Sequence, residues 1–500
     1  ASAGWVGHTV KGETQKLWTR ATYFSYTDMN QLPTRINFFE PLASWGGSNM
    51  NEYSLSSNWD KGLFFTGQVG YKDYVYLEGS YRQDWYRAFK QFEYRGTPDN
   101  YGYFSVGANT LMHRYISLPE FITHLKLRAS YSEVGNSIPN EVFNKGKADL
   151  ATGAIASSTY GYFDNPIPET SKSFEAGFDV SFFDSSLNWD LTYYHTGLYN
   201  NYFLQATTGG KSKPVNTGLI RNQGIETTVS YSLGFAKDWM WRTSVNFSYN
   251  DNKIVKTFKD EQGKSSKLEQ KIAGGNIVVR YDEGGSYGDM YALDFRRNDD
   301  GSIYLSSNGA PQLSNNSYVY LGNMNSKFQL GWGNTISWKD LSLYFLVSGR
   351  IGGKVISLTE AYLDYQGVSK RVGDARLAAE ANPDLQWNGK PAMVMPDGNL
   401  APIEEYYKAV GGNMFGSQYV YDATNFRLAE LSLGYSFHNL FGGVISNLSL
   451  SVVGRNLFFI YKDAPVDPDI ALSTKNGLGA FDIFNMPATR SVGVNLKIDF

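Results

Sequence analysis

Residues 491–500 read Ser-Val-Gly-Val-Asn-Leu-Lys-Ile-Asp-Phe. Val492, Val494, Leu496, Ile498 and Phe500 fall on one parity, and Ser491, Gly493, Asn495, Lys497 and Asp499 on the other. A strand projects successive side chains to opposite faces, so this stretch is a strand with one apolar and one polar face. The same rule runs through the chain. Phe174, Ala176, Phe178, Val180 and Phe182 oppose Glu175, Gly177, Asp179 and Ser181. Leu125, Leu127, Ala129 and Tyr131 oppose Lys126, Arg128, Ser130 and Ser132. Leu187, Trp189, Leu191 and Tyr193 do so against Asn188, Asp190 and Thr192, as do Leu431, Leu433, Tyr435 and Phe437 against Glu430, Ser432, Gly434 and Ser436.

Thirteen such segments are readable, near 62–70, 74–85, 102–112, 123–135, 170–183, 187–200, 218–232, 238–250, 327–337, 341–352, 425–437, 446–460 and 488–500. Helical periodicity is confined to short stretches near 116–121 and 372–382. The connections alternate short and long. The long ones are 87–101, 136–169, 201–217, 253–326, 353–424 and 461–487. One end of the sheet therefore carries tight turns and the other large loops. Outer-membrane barrels have that asymmetry, with short periplasmic turns and long extracellular loops. Their apolar parity faces lipid and their polar parity a wet lumen. A soluble sheet with one solvated face explains each strand alone, but gives no reason for the sorted loops.

Composition agrees with an all-β transmembrane antiparallel barrel. Aromatic residues make up 16% of the 500 residues, with 51 Gly, no Cys and 19% charged residues. Mean hydropathy is −0.36, and no apolar run reaches the length of a transmembrane helix. A closed barrel is the other structure a bilayer admits. The net charge of −3 lacks the basic excess expected of a nucleic-acid binder. Without cysteine, disulfides, thiolate metal sites and thiol nucleophiles are excluded. The stretch after Ala1 has no positively charged or apolar signal region.

Several strand motifs, in order, resemble SusC/RagA-type TonB-dependent transporters, which are outer-membrane nutrient importers of Bacteroidetes. They are Tyr74-Val75-Tyr76-Leu77 with Arg82-Gln83-Asp84, then Lys126-Leu127-Arg128-Ala129-Ser130-Tyr131 running into Val134-Gly135-Asn136. Asn165-Pro166 with Glu169-Thr170-Ser171 and Ala176-Gly177-Phe178-Asp179 follows, then Arg221-Asn222-Gln223-Gly224-Ile225-Glu226. The series closes with Asn425-Phe426-Arg427-Leu428 through Leu433-Gly434-Tyr435, Gly454-Arg455-Asn456-Leu457-Phe458, and Pro487 to Phe500. The resemblance covers roughly residues 60–500 and is specific as a series.

The resemblance implies a 22-stranded plugged barrel, of which this chain would supply the C-terminal 13 or so strands. The plug domain is expected to be absent from this chain. The segment at 62–70 would be strand 10, with nine strands upstream, and residues 1–60 mostly an extracellular loop region. Residues 61–500 would be the C-terminal barrel strands with their long loops. An odd set cannot close as a bacterial single-chain barrel. The implied partners are a SusD-like surface lipoprotein acting as lid, and a TonB complex reached through the missing N-terminal part. The N-terminal plug and barrel segment of the same transporter and outer-membrane lipid complete the set. The implied activity is TonB-dependent uptake of oligosaccharides or oligopeptides, with no bond broken and no cofactor. A passive porin-like channel and an outer-membrane enzyme are the alternatives.

The residues offer little for catalysis. His8, His113, His124, His195 and His438 form no HExxH motif. Asn298-Asp299-Asp300-Gly301 and Asp467-Pro468-Asp469 lack the spacing of an EF-hand and read as turns. The long loops are rich in aromatics and amides. Tyr160, Tyr162, Tyr202, Trp387, Asn388, Tyr406 and Tyr407 are the candidate substrate-binding residues, because aromatic faces beside hydrogen-bonding groups suit sugar rings or peptide side chains. The competing reading is that these aromatics pack the loops together or sit in interfacial girdles.

Overall fold

In the computed structural model, residues 2–18, 50–90, 98–137, 166–206, 212–257, 259, 269–469, 479–486 and 488–499 are described. Fourteen antiparallel strands form one continuous sheet in chain order. We number them β1 (Ser2–Trp18), β2 (Met50–Tyr71), β3 (Val75–Tyr86), β4 (Asn100–Leu111), β5 (Ile122–Asn136), β6 (Glu169–Phe182) and β7 (Leu187–Ala206). Then come β8 (Ser212–Ala236), β9 (Trp239–Lys256), β10 (Phe328–Trp338), β11 (Leu341–Ile351), β12 (Asn425–Leu440), β13 (Ile445–Lys462) and β14 (Ser491–Asp499). All thirteen alternating segments are strands, and β1 is an addition. It pairs with β2 from Ser2↔Thr66 to Trp18↔Met50.

Four expectations are revised. Among the described residues the sheet has fourteen strands, an even number, so the argument from an odd count falls away; the sheet is open because β1 and β14 do not pair with each other among these residues. Within residues 1–60, expected to be mostly loop, 2–18 and 50–60 are strand, and 19–49 lie outside the described residues. The expected 201–217 loop is largely a projecting hairpin, with the ladder running out to Ala206↔Ser212. The stretch near 116–121 is not a helix; a 3₁₀ turn at Met112–Arg114 precedes it, and Pro119 lies inside it.

Register explains the wall. Leu125, Val180, Trp189, Val229, Val245, Trp332, Val347 and Leu428 stand opposite one another across β5–β12. This row is apolar on every strand, and Trp189, Val229, Val245 and Trp332 are exposed. An exposed apolar band of that width is a surface made for lipid. At the tight-turn end, Phe121, Phe182 and Phe183 cluster, and Trp239 stacks on Trp338 at 5.7 Å. That is where an interfacial aromatic girdle belongs. Tight turns follow from backbone chemistry: Lys72 and Asp73 both take positive φ, as the primed hairpin turns require.

The densest packing lies outside the wall. The connections after β9 and β11 fold together with residues 479–486 into a loop domain. Its core includes Ile277, Val279, Met290, Phe295, Ile356, Ala361, Val372, Val410, Phe415, Tyr419 and Phe481. Lys354–Ser357 pairs antiparallel with Val420–Asp422 and parallel with Phe481–Asp482. Three helices cover it: α1 (Leu358–Tyr365), α2 (Lys370–Ala381) and α3 (Ile403–Gly412). Helix α2 meets the expected helix near 372–382, while α1 and α3 were not anticipated. Ser357 Oγ caps α1 by accepting from Glu360 N–H, and donates to Asp482 at 2.9 Å. One serine thereby starts a helix and ties two loops together.

Candidate functional site

The polar parity faces the concave side of the sheet. Arg128, Gly177, Thr192, Glu226, Ser248, Gln329, Arg350 and Asn425 form one register row across β5–β12. Lys126, Asp179, Asp190, Thr228, Asn246, Gly331, Ser348 and Arg427 form the next polar row. A cavity of about 560 Å³ lies against them, lined among others by Glu226, Asn246, Gln329, Arg350, Arg427 and Asp469.

Apart from Glu226, the charges in these rows are paired across the wall or to its adjoining loop. Arg128 binds Asp179 at 3.0 Å and Asp190 at 2.7 Å. Arg350 meets Asp469 at 3.2 Å, and Arg427 contacts both Asp467 at 3.3 Å and Asp469. The Asp467-Pro468-Asp469 segment is thus a turn, as its sequence suggested, but one pinned to the wall. The inner surface is hydrophilic without a field of one sign. Rings of like charge select ions; paired charges do not.

At the loop end a larger cleft of about 1440 Å³ opens between the wall and residues 269–327. Its walls include Tyr202, Arg221, Asn252, Tyr287, Tyr320 and Asn323. Tyr202 donates its hydroxyl to the Ile167 carbonyl, and its N–H donates to Glu169 at 2.9 Å.

The other candidate residues separate into groups. Tyr160 and Tyr162 lie outside the described residues. Tyr406 and Tyr407 are 4% and 7% exposed, in the loop-domain core, where burial pushes both phenols up. They meet edge-on at 5.2 Å, and Arg371 lies over the Tyr407 ring. Their burial favours the packing role. Burial disfavours the Arg371 charge, but Asp364 and Glu360 outweigh it and raise its affinity for its proton. Trp387 and Asn388 instead occupy a hairpin at the rim of a separate cleft, with Asn388 exposed.

Nothing in the described residues resembles a metal centre. The His113 and His124 rings lie 4.4 Å apart, tilted at 46°, but no third ligand joins them among the described residues. In the 298–301 turn, Asp300 accepts from Ser302 N–H and Oγ at 2.9 and 2.6 Å, the pattern of an acidic turn. Sequence reasoning missed Arg350, Arg427 and the wall-facing role of Asp467 and Asp469. Their polar parity was visible; their partners, about 40 to 120 residues away along the chain, were not.

An antiparallel wall that is apolar outside and polar inside, with folded loops at one end, defines a transport-type outer-membrane barrel. The family model described as TonB dependent receptor-like, beta-barrel, matches residues 2–348, and the chain belongs to that family. Within it the chain is similar to SusC- and RagA-type members. TonB-dependent receptor P39 of Formosa agariphila is 24% identical over 99% of this chain and 51% of its own length. TonB-dependent receptor SusC of Bacteroides thetaiotaomicron is 21% identical over 72% of this chain and 36% of its own. The structure of the RagAB peptide importer in the open-open state superposes with a TM-score of 0.69 at 18% identity, covering 91% of this chain and 48% of that one. The chain spans about half or less of the length of the curated relatives it matches. The family is one of transporters rather than enzymes, and its members are outer-membrane proteins.

Proposed function

We propose that this chain forms the larger part of the wall of an outer-membrane importer driven by a TonB complex. Its cargo is oligosaccharide or oligopeptide, captured with a SusD-like lipoprotein that closes over the loop end. The supporting observation is the charge-paired inner surface beneath a folded loop domain. Such a wall passes polar cargo without binding ions strongly, and the loop domain offers a rigid platform for capture. Import would proceed by differential affinity between open and closed lid states. With fourteen strands here, a wall of 22 would need about eight more from the rest of the transporter. Tyr202, Trp387 and Asn388 remain proposed contacts for cargo.

The test is uptake of labelled oligosaccharide and oligopeptide pools by cells carrying the full-length transporter, with and without TonB. Uptake lost without TonB supports active import; uptake kept without TonB would make this a passive channel. Co-purification of a lipoprotein tests the lid. Deleting residues 353–424 is a poor probe of docking, because it strips the core shared with Ile277, Met290 and Phe295. Excision of the 386–394 hairpin is the cleaner change.

A further inference from the structure

Four turns among the described residues of the loop domain are built on an Asn-Gly or Asp-Gly pair. Asp300-Gly301 and Asn308-Gly309 lie in the 297–311 ladder, which is closed by the bridges Arg297↔Ile303 and Leu305↔Pro311. Asn388-Gly389 is the two-residue turn between Gln386–Trp387 and Lys390–Val394. Asp397-Gly398 lies in the turn that leads on to Leu400–Pro402. A fifth pair, Asn476-Gly477, is outside the described residues. Such pairs share a chemical weakness. Glycine has no Cβ, so its amide nitrogen can approach the side-chain carbonyl carbon of the residue before it. Whether it does so depends on what holds the two groups.

In three of the four, both groups are tied. Gly301 N–H donates to the Asn298 carbonyl at 3.0 Å, Gly309 N–H to that of Ser306 at 2.9 Å, and Gly398 N–H to that of Met395 at 2.9 Å. Asp300 accepts from Ser302 Oγ at 2.6 Å, and Asp397 accepts from Ile303 N–H at 2.7 Å and Asn399 N–H at 3.1 Å. The Asn308 amide donates to Glu405 at 2.9 Å and accepts from Ser306 Oγ at 2.6 Å. Gly309 is also wedged, since a Cβ there would lie 2.5 Å from Pro402 and 3.2 Å from Trp387 Cη2. Asn388-Gly389 has none of these ties. The Gly389 N–H donates to no described residue, and the Asn388 side-chain amide bonds to none. Both residues are exposed, and a Cβ on Gly389 would meet nothing within 4 Å. Asn388 has φ +47 and Gly389 φ +79, the left-handed pair of a primed hairpin turn.

We propose that Asn388 is a site of spontaneous covalent modification, losing its amide to become aspartate and isoaspartate. The Gly389 nitrogen gives its proton to hydroxide and bonds to Asn388 Cγ. The Cγ–Nδ2 bond breaks, and that nitrogen takes a proton from water and leaves as ammonia. The product is a cyclic imide. Water then adds to one of its two carbonyls. Opening at Cγ leaves aspartate; opening at the main-chain carbonyl leaves isoaspartate, with the chain running through Cβ. The net reaction is amide plus water to carboxylic acid plus ammonia, and nothing is oxidised or reduced. Either product puts a carboxylate where the turn had a neutral amide. Isoaspartate also adds a carbon to the main chain of a two-residue turn whose register is set by Trp387↔Lys390. The hairpin tip therefore changes charge and shape in one direction as the protein ages. The reaction needs only the turn and water, so it is independent of the cargo and of import.

The experiment is a time course of peptide mapping by mass spectrometry. The full-length transporter, purified in detergent, is held warm at mildly alkaline pH. The amide-to-acid mass increment should accumulate at Asn388 several-fold faster than at Asn308. Isoaspartyl methyltransferase should then label the peptide that contains residue 388. In denaturing urea the two Asn-Gly pairs should react at comparable rates, because the ties at Asn308 are gone. Asn388→Gln, whose longer side chain closes a ring far more slowly, should keep its mass at 388 while Asn308 behaves as before. The proposal is overturned if Asn388 in the folded protein keeps its amide over the time in which the urea sample loses it. It is also overturned if Asn308 converts as fast as Asn388 in the folded protein. An Asn308 that stays slow in urea would overturn it too, because sequence and not structure would then set the difference.

Discussion

Arginine placed at Val245 should unfold the barrel wall far more readily than arginine placed at its neighbour Asn246. Val245 belongs to the apolar row that runs from Leu125 to Leu428, and is 37% exposed. Asn246 belongs to the polar row, between Thr228 and Gly331. Depth follows from the strand. β9 starts at Trp239, whose ring stacks on Trp338 at the tight-turn end. Six residues at ~3.4 Å rise make ~20 Å along the strand, or ~15 Å of height at a tilt near 40°. That places both positions near the middle of a ~25 Å apolar band. Arginine facing lipid there should cost ~2–4 kcal/mol, roughly a 30- to 700-fold loss in folded population. Arginine facing the lumen keeps its water and should cost little. Urea titration of the full-length protein folded into lipid vesicles measures the difference, with heat-modifiability on gels as a second reading. An Asn246→Arg variant as unstable as Val245→Arg would refute the assignment of faces.

In β14, Val494→Arg should likewise impair assembly while Asn495→Arg should not; equal behaviour would remove the lipid-facing reading of that strand. Arg427→Gln leaves the carboxylates of Asp467 and Asp469 short of a partner. It should speed limited proteolysis near Pro468 while the wall stays folded, and an unchanged cleavage rate would mean the contact does not hold that connection. Asp397→Ala removes the acceptor of Ile303 N–H and should loosen the 297–311 ladder by ~1–3 kcal/mol, read as faster amide exchange there. Acid should act in the same direction. Burial would raise the Asp397 carboxyl, but bonds from Ile303 and Asn399 outweigh it and hold it below its ordinary value. Its stabilising share is therefore full above about pH 3.9 and lost as pH falls through the lowered value. Exchange in the ladder that does not change on acidification would exclude Asp397 as the tie.

Alternation was enough to find thirteen of the fourteen wall strands and to say which side of each meets lipid, because side-chain parity is local to the strand. The sorted loop lengths carried the class of protein for the same reason: turns and strands are read from neighbours. β1 escaped because Trp5 and Val6 are adjacent and both exposed, and Gly4 and Gly7 interrupt either parity. Its place comes from pairing with β2, a contact made across dozens of residues. Tyr406 and Tyr407 look like Trp387 in sequence, aromatic residues in one long connection. Only the packing of α3 against Phe295, Phe415 and Val372 buries the tyrosines and leaves the tryptophan at a rim. The charge pairs of Arg350 and Arg427 with Asp467 and Asp469 are of the same kind. Which polar residue meets which, and which loop aromatics are spent on a core, depend on contacts between segments far apart in the chain, and parity carries no information about those.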